Sequence, residues 1–253
     1  MGEMITDVGI DLDGVIYPFA NAFRSYCEDR MEILNLPEPT HWNFYEDWGL
    51  DEETFTAWLT DAARYYQVFS THMPYAGVEE AWKELRDMGV RIHILTARPQ
   101  SAWAQTAVWL TRYNLHVDTL HFGPSKSFLA NLAKGKAILL DDHIAYYEEA
   151  ERAGIVPCLM TRAWNESKEN ANRVTNLTEF VSFIRGYNAR RTDVVSTPLT
   201  FTPKGQFIKT DPYKKTENPY RMSVKKPSNP HQNPPTRIVY QEPWHITQPE
   251  QNS

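Results

Sequence analysis

Four short apolar runs in the first 145 residues each end in polar side chains able to do chemistry. The run 5–10 leads into Asp11-Leu12-Asp13-Gly14. The run 90–95 leads into Thr96-Ala97-Arg98-Pro99. The run 117–122 leads into Gly123-Pro124-Ser125-Lys126, and 137–140 into Asp141-Asp142-His143. Helix-like stretches lie between the last three runs, over 101–113 and 127–132. Another, over 78–88, puts Ala81, Trp82, Leu85 and Met88 on one face and is stopped by Gly89. After the fourth run come a helix over 144–153 stopped by Gly154, a strand over 155–160 and a closing helix over 177–184. Strands alternating with helices of about ten residues predict an α/β fold with a Rossmann-like parallel sheet and right-handed crossovers. In such a sheet the working crevice lies outside the carboxyl ends of the strands. The polar groups at the four strand ends therefore converge on one rim.

Asp11 and Asp13 are two apart, so strand geometry points both to the same side. Two close carboxylates repel, and a cation between them relieves the repulsion. Oxygen ligands of this kind suit Mg²⁺. Taken alone, the stretch also reads as a strand followed by an Asp-Gly hairpin turn. The three other strand ends favour the cation-binding reading.

Residues 17–75 are too long for a loop and too helical for a linker. Helices are expected over 21–34 and over 51–63, where Asp51-Glu52-Glu53 suit a helix N-terminus. Pro37, Pro39 and Pro74 punctuate the segment. It reads as a small helical cap inserted after the first strand, with the catalytic core made of 1–16 and 76–186. Its aromatics, Trp42, Phe44, Tyr45, Trp48, Phe55, Trp58, Tyr65, Tyr66 and Phe69, are expected to form its own core. At least one is a candidate for a second use, because aromatic faces also stack nucleobases.

The net charge of −6 is unevenly spread. Residues 1–186 carry 16 Lys+Arg against 27 Asp+Glu; residues 187–253 carry 10 against 5 and hold 10 of the 17 prolines. The acidic body is a poor surface for a stable nucleic-acid partner. The basic, proline-rich tail, 187–253, is expected to be disordered, with Ile238-Val239-Tyr240 the part best suited to dock as a strand. No run is apolar enough to cross a membrane, and the first seven residues lack a basic signal region. Cys27 and Cys158 form no disulfide pattern. A cytoplasmic location is the expectation from these features.

The rim suits phosphoryl chemistry. One carboxylate can act as nucleophile and the second as general acid, then base. Mg²⁺ held by Asp11 and Asp141 would neutralise phosphate charge. Thr96 and Lys126 would hold phosphate oxygens. Lys134 and Lys136 are alternatives to Lys126, but Lys136 directly precedes a strand and so belongs at the wrong end of the sheet. Arg98 is either a further phosphate contact or a surface arginine. His143 reads as a surface histidine at a helix N-terminus.

Asp11-Leu12-Asp13-Gly14-Val15 resembles the first motif of the haloacid dehalogenase (HAD) superfamily. Leu95-Thr96 resembles the second motif, Lys126 the third and Asp141-Asp142 the fourth. The resemblance covers roughly residues 5–186. It implies Asp11 as nucleophile, Asp13 as acid/base and Asp141 as a metal ligand. Asp142 would support the metal or orient Lys126, and the Asp13 carbonyl would be a further ligand. The insertion and the segment Thr161-Arg162-Ala163-Trp164-Asn165 resemble the 5′(3′)-deoxyribonucleotidase-like branch. Under that resemblance Phe19, Trp42, Phe44 and Tyr45 are candidate base or sugar contacts, and Trp164 and Asn165 border the pocket. The activity implied is Mg²⁺-dependent hydrolysis of a nucleoside monophosphate through an aspartyl-phosphate. Alternatives are another small phosphate ester, a polynucleotide 3′-phosphate end, or a non-catalytic scaffold working through the tail.

Overall fold

A computed structural model describes residues 3–193, with side chains to residue 190. The calls on the tail, including Ile238-Val239-Tyr240, lie outside the described residues. The elements run in the order β1 (Ile5–Ile10), α1 (Phe19–Met31), α2 (Phe44–Asp47), α3 (Glu52–Asp61), a π-helical turn (Ala62–Tyr66), α4 (Val78–Asp87) and β2 (Arg91–Thr96). There follow α5 (Trp103–Arg112), β3 (Thr119–Phe122), α6 (Leu129–Leu132), β4 (Lys136–Asp141), α7 (Ile144–Arg152), β5 (Val156–Met160), β6 (Arg173–Val174) and α8 (Leu177–Asp193).

The sheet is wholly parallel, in the order β3-β2-β1-β4-β5-β6. The order reverses between β1 and β4, and that is where a crevice opens in a doubly wound sheet. Strands covered on both faces read as continuous apolar runs. β1 and β4 follow this rule, with Val8, Ile10, Ile138, Leu139 and Leu140 buried. Gly9 sits where β1 is most crowded. A Cβ there would lie 2.7 Å from a Leu129 methyl and 2.8 Å from one of Leu95.

α8 packs on α4, β1 and β6. It runs to Asp193, past the boundary at 187 expected from sequence. The helix continues because it still has partners. Asn188 Oδ1 accepts the Ile5 N–H at 2.8 Å, and Tyr187 packs on the core. β6, two residues long, is absent from the sequence reading.

The far, amino-terminal end of the sheet holds a closed polar network. Asp7, fully buried, accepts from His93 Nε2 and from Thr6 and pairs with Arg91. His93 Nδ1 lies 2.9 Å from Thr119 Oγ1. Burial alone would raise the Asp7 pKa; the His93 and Thr6 hydrogen bonds and Arg91 outweigh it and hold the carboxyl below the ordinary value. Each member is satisfied, as a buried network must be.

The insertion between β1 and α4 is helical. α1 begins two residues earlier than expected and ends at Met31, because Glu32 turns into the left-handed region with φ 56°. Asp51 caps α3 by accepting the Thr54 N–H at 2.7 Å. Phe23, Phe44, Trp48 and Phe55 form an aromatic cluster with ring centroids 4.8–6.2 Å apart. The same hydrophobic cluster runs unbroken into the sheet through Phe19, Tyr17 and Phe69.

Asp47 organises the turn that carries Trp42. It accepts from the N–H groups of Thr40 and His41 and from the Thr40 hydroxyl, and it lies 2.6 Å from His41 Nδ1. Partial burial raises the Asp47 pKa, but these bonds outweigh it and pull the carboxyl from its ordinary 3.8 down to about 2. A depressed folded-state pKa gives stability that is complete above about 4 and lost as pH falls through about 2. Asp47→Asn is expected to lower the thermal midpoint at pH 7. The difference from wild type should shrink steadily between pH 4 and pH 2. Equal midpoints at pH 7 would count against this role.

Candidate active site

β1 ends at Ile10, and the chain then turns sharply. The N–H groups of Val15, Ile16 and Tyr17 all point to the Leu12 carbonyl, and Gly14 N–H bonds to Tyr17 O at 2.9 Å. Leu12 is fully buried, while Asp11 and Asp13 face one cavity. Asp11 N–H bonds to Leu140 O at 3.0 Å, which sets the end of β1 against the end of β4 and its Asp141.

Lys126 is fully buried beneath these acids. Its ammonium lies 2.5 Å from Asp11 Oδ1, 2.5 Å from Leu95 O and 3.4 Å from Asp141 Oδ2. Tyr146 places its ring 4.9 Å from the ammonium. Lys136 bonds to Gly154 O and the Lys134 N–H to Asp7, both away from this cavity. Of the three lysines weighed from sequence, Lys126 is the one placed with Asp11 and Asp141.

The charges do not balance. Burial raises the Asp11 carboxyl to about 7; Lys126 opposes the rise, while Asp141 and Asp13 add to it. Burial also raises Asp141, against Lys126 and the His143 N–H. Asp142 is raised well above the ordinary range by burial and then by Asp141 and Asp11. Lys126 gains two carboxylates, which outweigh its burial and keep it charged. Lys126, with Arg162 acting on Asp142, does not offset the burial of three acids.

Among the described residues no three His, Cys, Asp or Glu side chains form a ready-made metal cage. Mg²⁺ does not require one, because it is held by one or two carboxylates and keeps several waters. The donor set fits such an ion. Asp141 Oδ2 is buried and, apart from the ion-pair contact with Lys126 at 3.4 Å, has no hydrogen-bond partner, while Asp141 Oδ1 is fixed by the His143 N–H at 2.9 Å. Asp142 packs so tightly against Gly14 that a Cβ there would lie 1.9 Å from its Oδ2. Gly14 also has φ +75°, which favours glycine. Of the two roles expected of Asp142, orienting Lys126 has no direct contact behind it, since the lysine's polar contacts are with Asp11, Asp141 and Leu95 O.

Thr96 is buried at the end of β2, and its hydroxyl accepts the Arg98 N–H at 3.2 Å. Ala97, Arg98 and Pro99 line the cavity beside it. Arg98 is not a surface arginine: it is buried, and its guanidinium is engaged within the protein. Its Nε and Nη2 clamp Asp13 at 2.6–3.2 Å, and its Nη1 donates to Phe69 O and Thr106 Oγ1.

The cavity runs from these acids to the insertion. Phe19, Trp42, Phe44, Tyr45 and Trp164 line it, as do Phe55, Phe69, Tyr75 and Tyr146, which sequence reading did not assign to it. Glu52 and Asn43 are the polar residues at the insertion end. The indole N–H of Trp164 is buried and unpartnered. Asn165 does not border the cavity. It is fully buried and braces the loop, donating to Asp142 O and Met160 O at 2.8 Å and accepting from Arg173. His143 is not a surface residue either. It caps α7, and its ring meets Trp42 at 4.6 Å. Burial, then Lys126, lowers its pKa to about 4. Arg162, unassigned from sequence, bonds to Gly14 O at 2.7 Å and lies over Tyr75.

Comparison with known proteins bears first on the fold. No family model matches the chain. The chain is 29% identical over 129 residues to the "putative 5′(3′)-deoxyribonucleotidase" of Chlorobaculum tepidum, a match covering 47% of this chain and 63% of that protein. The chain therefore spans less than two thirds of that relative's length. The structure of a "predicted phosphatase" from Clostridium acetobutylicum superposes with TM-score 0.55 at 18% identity, covering 72% of this chain and 99% of the other. The "putative HAD-hydrolase YfnB" of Bacillus subtilis, bound to magnesium, gives 0.51 at 14%, with the same coverage. These structural likenesses bear on the fold: the chain has the fold of the haloacid dehalogenase-type structures it superposes on.

Proposed function

We propose that this chain is a Mg²⁺-dependent phosphomonoesterase acting on a nucleoside monophosphate, with a deoxynucleotide the first candidate. One observation carries the reading: a single cavity has four aspartates at one end and a wall of aromatic rings at the other. The resemblance to a deoxyribonucleotidase-named relative supports the substrate class.

In this reading the segment 17–75 acts as the cap. Asp11 attacks phosphorus and forms an aspartyl-phosphate as the ester P–O bond breaks. Asp13 gives its proton to the leaving oxygen, then takes one from the water that cleaves the aspartyl-phosphate. Lys126 holds Asp11 in place and offsets the charge of the acids. The Asp11 and Asp141 carboxylates and the Asp13 carbonyl would hold Mg²⁺, with Asp142 in support. Bound there, the ion supplies the positive charge that an anionic phosphate needs among four carboxylates. The aromatic end takes the base, since stacking contributes roughly 1–3 kcal/mol per base. The tail is not needed for this chemistry.

Phosphate release should be measured with Mg²⁺ on deoxy- and ribonucleoside monophosphates, sugar phosphates and 3′-phosphorylated oligonucleotides. Turnover of the nucleotides is expected. It should vanish in Asp11→Asn, stop on chelation with EDTA and return with Mg²⁺. Release from oligonucleotide ends alone would replace the substrate class. No release from any ester would overturn the reading.

Trp164→Phe keeps an aromatic wall and removes the unpartnered N–H. If that N–H meets an acceptor on the substrate, KM should rise about tenfold, the equivalent of one hydrogen bond of about 1.4 kcal/mol. The value of kcat should stay within about a factor of three. An unchanged KM would assign Trp164 to the wall alone.

A further inference from the structure

We propose that Arg98 is a positioning residue that aims the acid/base Asp13 and links it to the segment returning from the insertion. The proposal rests on the phosphatase reading above. Asp13 lies on the cavity wall with its side chain 27% exposed, whereas the Arg98 side chain is 1% exposed. The guanidinium contacts both oxygens of Asp13, through Nε at 3.2 and 2.9 Å and Nη2 at 2.6 Å.

The rest of the guanidinium is anchored elsewhere. Nη1 donates to Phe69 O at 3.1 Å and to Thr106 Oγ1 at 2.9 Å. The Tyr17 ring lies 4.6 Å from the guanidinium carbon and the Phe69 ring 4.9 Å. A group held on so many sides cannot follow a mobile carboxylate, so the carboxylate takes its orientation from the arginine. A planar two-point clamp fixes direction as well as charge, which lysine cannot reproduce.

The anchors belong to two parts of the chain. Thr106 is on α5 of the core. Phe69 lies on the segment that leaves the insertion, next to Val68, whose carbonyl accepts the Tyr17 hydroxyl at 2.5 Å. Phe69 also lines the cavity. A molecule that presses on the Phe69 ring therefore acts on a partner of the guanidinium that holds Asp13. Contact at the aromatic end is conveyed to the proton donor through one residue.

Ester bonds differ in their need for that proton. As the P–O bond breaks and the Asp11 oxygen bonds to phosphorus, the alkoxide of a nucleotide must be protonated, while p-nitrophenolate leaves unaided. The kcat/KM of wild type, Arg98→Lys and Thr106→Val should be compared on a nucleoside monophosphate and on p-nitrophenyl phosphate. Arg98→Lys is expected to lose about a hundredfold on the nucleotide and less than about tenfold on the aryl ester. Thr106→Val, which keeps the charge and removes one anchor, should show the same preference at smaller size. In an Asp13→Asn background, adding Arg98→Lys should change neither value. Thermal midpoints establish that each variant is folded.

Equal losses on both esters, or a further loss in the Asp13→Asn background, would assign Arg98 to structure alone and overturn the proposal. If wild type hydrolyses neither ester, the phosphatase reading fails and takes this role with it. That outcome is distinct from equal losses in an active enzyme.

Discussion

Lys126 under Asp11 and Asp141 is the contact around which the crevice is arranged. A buried ammonium is tolerated only when carboxylates and a carbonyl surround it. Leu95 O, at the end of β2, supplies the carbonyl. Asp11 and Asp141 come from β1 and β4, the strands on either side of the reversal point. One side chain thus fastens three neighbouring strand ends together. It still leaves the acids in excess, and burial raises their pKa values against the pull of the lysine. The site is stable as a fold and electrostatically incomplete, which suits a place where a cation and an anion are to meet.

The insertion is built by the same economy of contacts. Its aromatic cluster is both its core and the far wall of the cavity, with Phe19, Phe44 and Phe55 serving in each. Two connections tie it to the acids. Trp42 rests on His143, which follows Asp141 and Asp142 directly. Phe69 rests on Arg98 and so on Asp13. The cavity's two ends are therefore joined by residues as well as by space.

What was legible in the sequence follows the range over which each signal acts. The strands, the main helices and the acids at the strand ends are written locally, in apolar runs and their punctuation. Lys126 could be preferred over Lys136 because strand direction alone decides which end of the sheet a lysine occupies. The Arg98–Asp13 clamp could not be read this way, since 85 residues separate the partners. The resemblance puts Asn165 at the pocket with Trp164, but the two adjacent side chains of the 3₁₀ turn Ala163–Asn165 diverge, and Asn165 turns inward to Asp142 O and Met160 O. The two-residue β6 carries no periodicity to detect. The helix past residue 187 survives on the Asn188–Ile5 contact, which no local pattern announces.

The unbroken hydrophobic cluster between insertion and sheet has a mechanical consequence. A lid that swings as a rigid body needs an interface that can part without exposing core side chains. Here Phe19, Tyr17 and Phe69 are buried in both parts at once. Swinging the insertion away would wet a continuous apolar surface, at about 25 cal/mol for each Å² uncovered. The turn over 40–43 is held differently, by exposed polar bonds from Thr40 and His41 to Asp47 and by the edge of Trp42 against His143. Of the two attachments, this turn is the one whose contacts water can replace.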